Sequence, residues 1–189
     1  DKYSYATLEK IETIVSSKDL SEINGFQSYS FNNDETKIIL GTNFKKIYRH
    51  SFSGTFYAYD IASKKLSLIG EDIQEPIFSP DNKKVAYAKN NDLFIKDFIE
   101  NKVIRVTKDG KKNNIINGIT DWVYEEEFAF VRAFEWSKDS KHLAFLRFNE
   151  SNVPTFSMDI VGQNLYPEQQ VFKYPKAGEK NAIVTLHMY

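Results

Sequence analysis

Three stretches of this sequence repeat one pattern in register. They read Phe31-Asn32-Asn33-Asp34-Glu35-Thr36-Lys37-Ile38-Ile39-Leu40, Phe78-Ser79-Pro80-Asp81-Asn82-Lys83-Lys84-Val85-Ala86-Tyr87 and Trp136-Ser137-Lys138-Asp139-Ser140-Lys141-His142-Leu143-Ala144-Phe145. In each, an aromatic residue is followed at the third position by Asp, polar residues around that Asp signal a turn, and a short apolar strand comes next. The aromatic starts lie 47 and 58 residues apart. That interval suits one four-stranded antiparallel unit per repeat. A second signal trails the first two copies. Phe56-Tyr57-Ala58-Tyr59-Asp60-Ile61 leads through a polar turn to Leu66, and Leu93-Phe94-Ile95-Lys96-Asp97-Phe98 leads to Val103. A weaker copy, Phe156-Ser157-Met158-Asp159-Ile160-Val161, follows the third repeat and is expected to take the same place in its unit.

The pattern predicts an all-β fold, a partial β-propeller of about three to four four-stranded antiparallel blades with a short inserted helix. It is expected to form a single domain over residues 1–189, with repeats starting near 29, 76 and 134. A generic antiparallel sandwich is the alternative, because its strands also recur with regular turns. Fifteen Phe and 11 Tyr favour strands. A ring needs about 4–8 blades, so three copies are expected to be a piece of a larger propeller. The last residues, Ala182 to His187, read as a strand without a closing turn. A net charge of −1 argues against a nucleic-acid surface. The absence of cysteine removes disulfides and cysteine-zinc sites from consideration.

One segment breaks the strand rhythm. Ile119-Thr120-Asp121-Trp122-Val123-Tyr124-Glu125-Glu126-Glu127-Phe128 lacks alternation, Asp121 is a helix-capping residue type, and acidic side chains suit a helix N-terminus. A helix of one to two turns is expected at about 120–128. Consecutive carboxylates on a helix stand about 100° apart and can converge on a point just off its surface. Two of them would offer acceptors and charge to an ammonium group. A plain solvated helix face is the alternative. A hard-cation site would need about six oxygen ligands, which the local sequence does not supply in a regular loop.

Asn117-Gly118-Ile119-Thr120-Asp121-Trp122-Val123-Tyr124-Glu125-Glu126-Glu127 resembles the signature segment of the dipeptidyl peptidase IV branch of the prolyl oligopeptidase family. Phe148-Asn149-Glu150, Val153-Pro154 and Tyr174-Pro175-Lys176-Ala177-Gly178 follow in the order of that branch, and Tyr48-Arg49-His50-Ser51 resembles its Arg-His strand. The resemblance covers roughly residues 29–189. It implies an eight-bladed propeller packed on an α/β-hydrolase domain, with peptides cut after a second-position Pro or Ala in the cavity between the two. It implies that Glu126 and Glu127 bind the substrate α-ammonium and that Arg49 reaches a backbone carbonyl nearby. Glu125 is given no such role. It implies no cofactor and no metal, a peptide partner with a free N-terminus, a homodimeric parent and a periplasmic or cell-envelope setting.

Two departures point to a bacterial member. The stretch from Phe128 to Glu135 is one residue shorter than in mammalian forms, and Ala182 follows Asn181 where Pro or a small polar residue is expected. No Gly-x-Ser-x-Gly elbow occurs in residues 1–189, so the chain alone is expected to be inactive, with catalytic residues supplied by an α/β-hydrolase domain outside it. A non-catalytic propeller that scaffolds protein partners stays open as an alternative, as does a calcium-binding adhesion module.

Overall fold

The computed structural model describes residues 1–189, the side chain of residue 17 excepted. A small antiparallel hairpin, β1 (Lys2–Tyr3) and β2 (Lys10–Glu12), comes first. A single 3-10 turn at Ser17–Leu20 then sets Leu20 against Ile38, Leu40 and Tyr59. Seven antiparallel strands follow, paired in chain order: β3 (Ser28–Phe31), β4 (Lys37–Lys46), β5 (Phe52–Asp60), β6 (Lys65–Phe78), β7 (Lys84–Lys89), β8 (Asp92–Asp97) and β9 (Lys102–Arg105).

Strand β6 differs from the expectation. The sequence places a strand from Leu66 in the first unit and the start of the second unit near residue 76. Instead one 14-residue strand pairs with β5 along its first half and β7 along its second. It bends where Asp72 and Glu75 take φ of 52° and 53°, and its register shifts between Gln74 and Ile77. A bulge of this kind redirects a strand without ending it. Ile39, Phe56, Ala58, Ile69, Ile73, Val85 and Tyr87 bury the angle between the two meanders.

The repeated motif is one turn built three times. The backbone N–H of Asn32, Ser79 and Ser137 donates to the carbonyl of Lys37, Lys84 and His142 at 3.0, 2.9 and 2.9 Å. Within each loop the Asp carboxylate accepts from the backbone N–H two residues on, Thr36, Lys83 and Lys141, at 3.3, 3.2 and 3.1 Å. The residue directly after Asp takes a left-handed φ in all three: Glu35 at 56°, Asn82 at 60° and Ser140 at 61°. Asp or Asn in such loops replaces backbone partners with its own side chain. Successive turns also touch: Asn82 Nδ2 donates to Asp34 at 2.9 Å, and the Asp81 N–H donates to Ser140 Oγ at 2.9 Å. The periodicity in the sequence is therefore the periodicity of a stitched row of turns.

The third unit is interrupted. β10 (Ile115–Asn117) pairs with the end of β12 (Leu143–Asn149), and β11 (Phe134–Trp136) pairs with its beginning. The two short strands share one side of β12, and the chain between them makes an excursion that contains helix α1 (Trp122–Phe128). The neck of that excursion is closed by a bridge between Ile119 and Arg132 and by the Thr120 N–H bonding Val131 O at 3.0 Å. Ile116, Phe134, Trp136, Leu143, Phe145 and Phe148 pack the unit onto Ala86, Ala88, Leu93 and Ile95 of the second meander.

The segment Phe156–Val161 does not take the place expected of it. β13 (Thr155–Ile160) pairs only with β14 (Glu168–Lys173), as a separate hairpin. The position beside β12 is filled by β15 (Ile183–Met188), in register from Ala144–Met188 to Asn149–Ile183. The physical reason lies at the hairpin base. Phe156 packs on Phe172 and Tyr174, with centroids 6.0 and 5.5 Å apart, rather than into the sheet core.

Candidate functional site

Helix α1 is short and needs its caps. Asp121 sits at the N-cap in extended conformation, and its carboxylate accepts the Tyr124 N–H at 3.0 Å. Ala129 ends the helix at φ 55°, its N–H returning to Glu125 O at 3.2 Å. Left-handed C-caps of this type satisfy the last carbonyls. Tyr124 docks the helix on Phe148, centroids 5.0 Å apart.

Three elements, the helix among them, meet here. The β4–β5 loop carries Tyr48 and Arg49, the helix carries Trp122, and the β13–β14 hairpin carries Phe172. Phe172 lies 6.0 Å from Tyr48 and 5.7 Å from Trp122 between ring centroids, and Tyr174 meets Trp122 edge-on at 4.9 Å. Aromatic pairs at these separations add about 0.5–1.5 kcal/mol each to their area burial.

The three consecutive glutamates have three different environments. Glu125 is 1% exposed and accepts from the backbone N–H of His50 at 2.7 Å and of Ser51 at 2.8 Å. Glu126 pairs with Arg49, Nε to Oε2 3.3 Å, its side chain 13% exposed against 71% for Arg49. Glu127 is exposed, and among the described residues its carboxylate has no hydrogen bond or ion pair. The structure thus brings Arg49 to Glu126 and places Glu127 one residue further along the same helix. His142 and His187 lie at the far end of the third unit, in or beside β12 and β15.

Beneath the helix lies a cavity of about 460 Å³ lined by Tyr48, Ser51, Asp121, Glu125, Glu150 and Lys173, among others. Glu150 is 5% exposed and its carboxyl forms no hydrogen bond or ion pair among the described residues. Burial, reinforced by the negative charge of Asp121 and opposed by Lys173, pushes its pKa up to about 7. Burial, with the charges of Glu150, Glu125 and Asp121, pushes the Tyr48 phenol up to about 12. Burial also raises Asp121, against the N–H bond from Tyr124. Neither Glu150 nor Glu125 stood out in the sequence as a buried group. Nothing in a linear pattern marks which of three adjacent glutamates turns inward.

Glu150 has a consequence for stability. A carboxyl raised from its ordinary 4.5 to about 7 on folding keeps its proton in the folded state where the unfolded chain has lost it. Folded protein therefore binds more protons between those values, and stability falls as pH rises through that window and levels off above it. Glu150→Gln mimics the protonated form. The variant is expected to match the parent at pH 4 and to exceed it by about 3 kcal/mol at pH 8. Urea unfolding at the two pH values checks this; equal stability at pH 8 would refute it.

The family described as the dipeptidyl peptidase IV (DPP IV) N-terminal region matches residues 32–189 of the chain. Human prolyl endopeptidase FAP is 32% identical over 179 residues, covering 92% of this chain and 23% of its own length. Dipeptidyl peptidase 4 of Trichophyton rubrum is 36% identical over 174 residues, covering 87% of this chain and 22% of its own. The crystal structure of Porphyromonas gingivalis dipeptidyl peptidase 4 superposes with a TM-score of 0.90 at 40% identity, over 99% of this chain and 27% of that one. The chain thus spans about a quarter of the length of these relatives. A match to residues 32–189, over a fold shared at that TM-score, makes this all-β chain a member of the dipeptidyl peptidase IV N-terminal region family.

Proposed function

We propose that this chain is the part of a dipeptidyl-peptidase-IV-like serine exopeptidase that gates the substrate and recognises its N-terminus. In this reading the two meanders sharing β6 and the interrupted third unit are blades of a propeller. A hydrolase domain outside the chain brings the Ser-Asp-His triad. The enzyme releases X-Pro and X-Ala dipeptides from peptides with a free amine, and it works as a homodimer.

The observation that carries the reading is the ion pair between Arg49 and Glu126 with an unpaired Glu127 beside it. Arg49 neutralises part of one carboxylate and keeps most of its side chain exposed, so a peptide carbonyl has a donor to meet. The second carboxylate keeps its charge for an ammonium. An exopeptidase that removes dipeptides must hold the terminus at a fixed distance from the scissile bond. An acidic pair and an Arg, fixed on neighbouring elements, supply that ruler.

The test uses the full-length protein. Glu126→Gln and Glu127→Gln are each expected to lower kcat/KM on a free-amine X-Pro peptide by about 10²-fold, equivalent to about 2.7 kcal/mol, with unchanged thermal midpoints. Parental rates in both variants would remove the amine-binding role.

A further inference from the structure

We infer that Glu125 is a positioning residue that fixes Arg49 against Glu126 without touching the peptide. The inference rests on the amine-binding reading above. It starts from an energetic oddity. Glu125 is 1% exposed, and among the described residues no cation pairs with it. Burying an ionised carboxylate costs several kcal/mol unless it is fully bonded, and an apolar side chain of similar size often stabilises as well or better. Stability alone gives no reason for a charge at this point.

Its partners supply one. One carboxylate oxygen accepts from two successive backbone N–H groups, His50 at 2.7 Å and Ser51 at 2.8 Å. Such charge-assisted bonds are short and directional. The loop they grip is itself closed: the Ile47 N–H donates to Ser51 O at 2.9 Å, and the Tyr48 N–H to Ser51 Oγ at 3.2 Å. Residues 47–51 thus form a small unit held to the helix by Glu125. Arg49 precedes His50, and Glu126 follows Glu125. The buried carboxylate stands where the two arms of the Arg49–Glu126 pair pass each other, one residue from each.

The remaining groups around it do not take over this task. Asp121 caps the helix through Tyr124 N–H, Lys173 donates to Val153 O at 2.6 Å, and Glu150 faces the cavity unbonded. Removing the carboxylate frees the loop, and Arg49 with it, from the helix. A displacement of about 1 Å in a positioning group costs up to about 10²-fold in rate.

A double-mutant cycle in the full-length protein tests this. Glu125→Ala and the similar-sized, acceptor-free Glu125→Met are each expected to lower kcat/KM on a free-amine X-Pro peptide by about 30-fold. Glu125→Gln keeps an amide oxygen able to accept both N–H groups and is expected to stay within about threefold of the parent. In an Arg49→Ala background, Glu125→Met is expected to cost less than about threefold, because the group it positions is gone. Hydrogen exchange at the His50 and Ser51 amides is expected to quicken in the Met variant and not in the Gln variant. If Glu125→Ala fails to fold, the Met and Gln variants decide. Equal losses with and without Arg49, or parental kinetics in Glu125→Met, overturn the inference while leaving the amine-binding reading intact. Parental kinetics in both Glu126→Gln and Glu127→Gln overturn both.

Discussion

A peptide whose terminal amine has been acetylated is expected to be cut about 10³-fold more slowly than its free-amine counterpart by the full-length protein, a difference of about 4 kcal/mol. The size follows from what each ligand leaves behind. An α-ammonium has a pKa of about 7.7–8.0 in water, and two carboxylates beside it hold it protonated. Its three donors meet acceptors that Arg49 leaves only partly satisfied. In the proposed full-length enzyme, where a second domain encloses the helix, Glu127 faces either that ammonium or no partner, and Glu126 has only Arg49. An acetamide brings one weak donor and no charge, so Glu127 stays unpaired and Glu126 is left with Arg49 alone, the costlier half of breaking an enclosed pair. The N-methyl peptide separates charge from bulk. It keeps a protonated amine and adds a carbon, and it is expected within about tenfold of the parent rate. Release of dipeptide from the three peptides, followed by chromatography, measures all of this. Equal rates for the acetylated and free peptides would rule out recognition of the terminus by charge.

The same Glu run shows how far residues alone reach. The capping Asp121, the absence of alternation and the acidic first turn mark a helix, and the observed Trp122–Phe128 occupies that segment. The end of the helix is another matter. Ala129 takes a left-handed conformation without being Gly or Asn, and the sequence gives no cue to stop there. Likewise the three Asp turns are legible because each turn is made by its own side chains. The continuity of β6 is not, because it depends on left-handed Asp72 and Glu75, residue types that the sequence offers equally to a loop. The misplaced strand teaches a related lesson. Phe156, Met158 and Ile160 alternate like any half-buried strand, and periodicity cannot say which neighbour the apolar face will find. Phe156 went to Phe172 and Tyr174, which hold the hairpin against Trp122, while Met158 and Ile160 stay exposed. For the site, the pairing of Arg49 with Glu126 joins residues 77 positions apart by number, and only the family resemblance linked them beforehand. The inward turn of Glu125 was legible from neither route, since its partners are backbone groups and backbone carries no sequence signal.

Removing the carboxylate of Asp92 is expected to cost the chain more than any single contact at the site. Asp92 opens β8 with its side chain 1% exposed. It accepts from Arg105 Nη2 at 2.5 Å, Thr107 Oγ1 at 2.6 Å, Gly110 N–H at 2.9 Å and Asn117 Nδ2 at 3.3 Å. These donors come from β9, from the loop after it and from β10, so one carboxylate ties the second meander to the third. Asp92→Ala leaves the partners unequally exposed. Arg105 is half-exposed and turns to water at little cost. Gly110 and Asn117 have less choice. A Cβ on Gly110 would already meet the Asn91 carbonyl oxygen at 2.4 Å, so this backbone is pressed against the turn that leads into β8. Asn117 is fully buried, and its Oδ1 already lacks a partner. Asn117 keeps a bond to Asp109, which Arg147 grips through Nε at 3.0 Å and Nη2 at 2.8 Å, so the junction weakens without dissolving. Each stranded buried donor costs about 1–3 kcal/mol, and the expected total for Asp92→Ala is about 3–5 kcal/mol. In a chain of this size that lowers the thermal midpoint by about 10–15 °C. Asp92→Asn keeps an oxygen for Thr107, Gly110 and Asn117 and gives up the charge facing Arg105; it is expected to lose about half as much. Urea unfolding of the two variants, with unchanged slopes, provides the measurement. A loss below about 1 kcal/mol for Asp92→Ala would mean that apolar packing between the meanders, and not this carboxylate, holds the third unit and its helix in place.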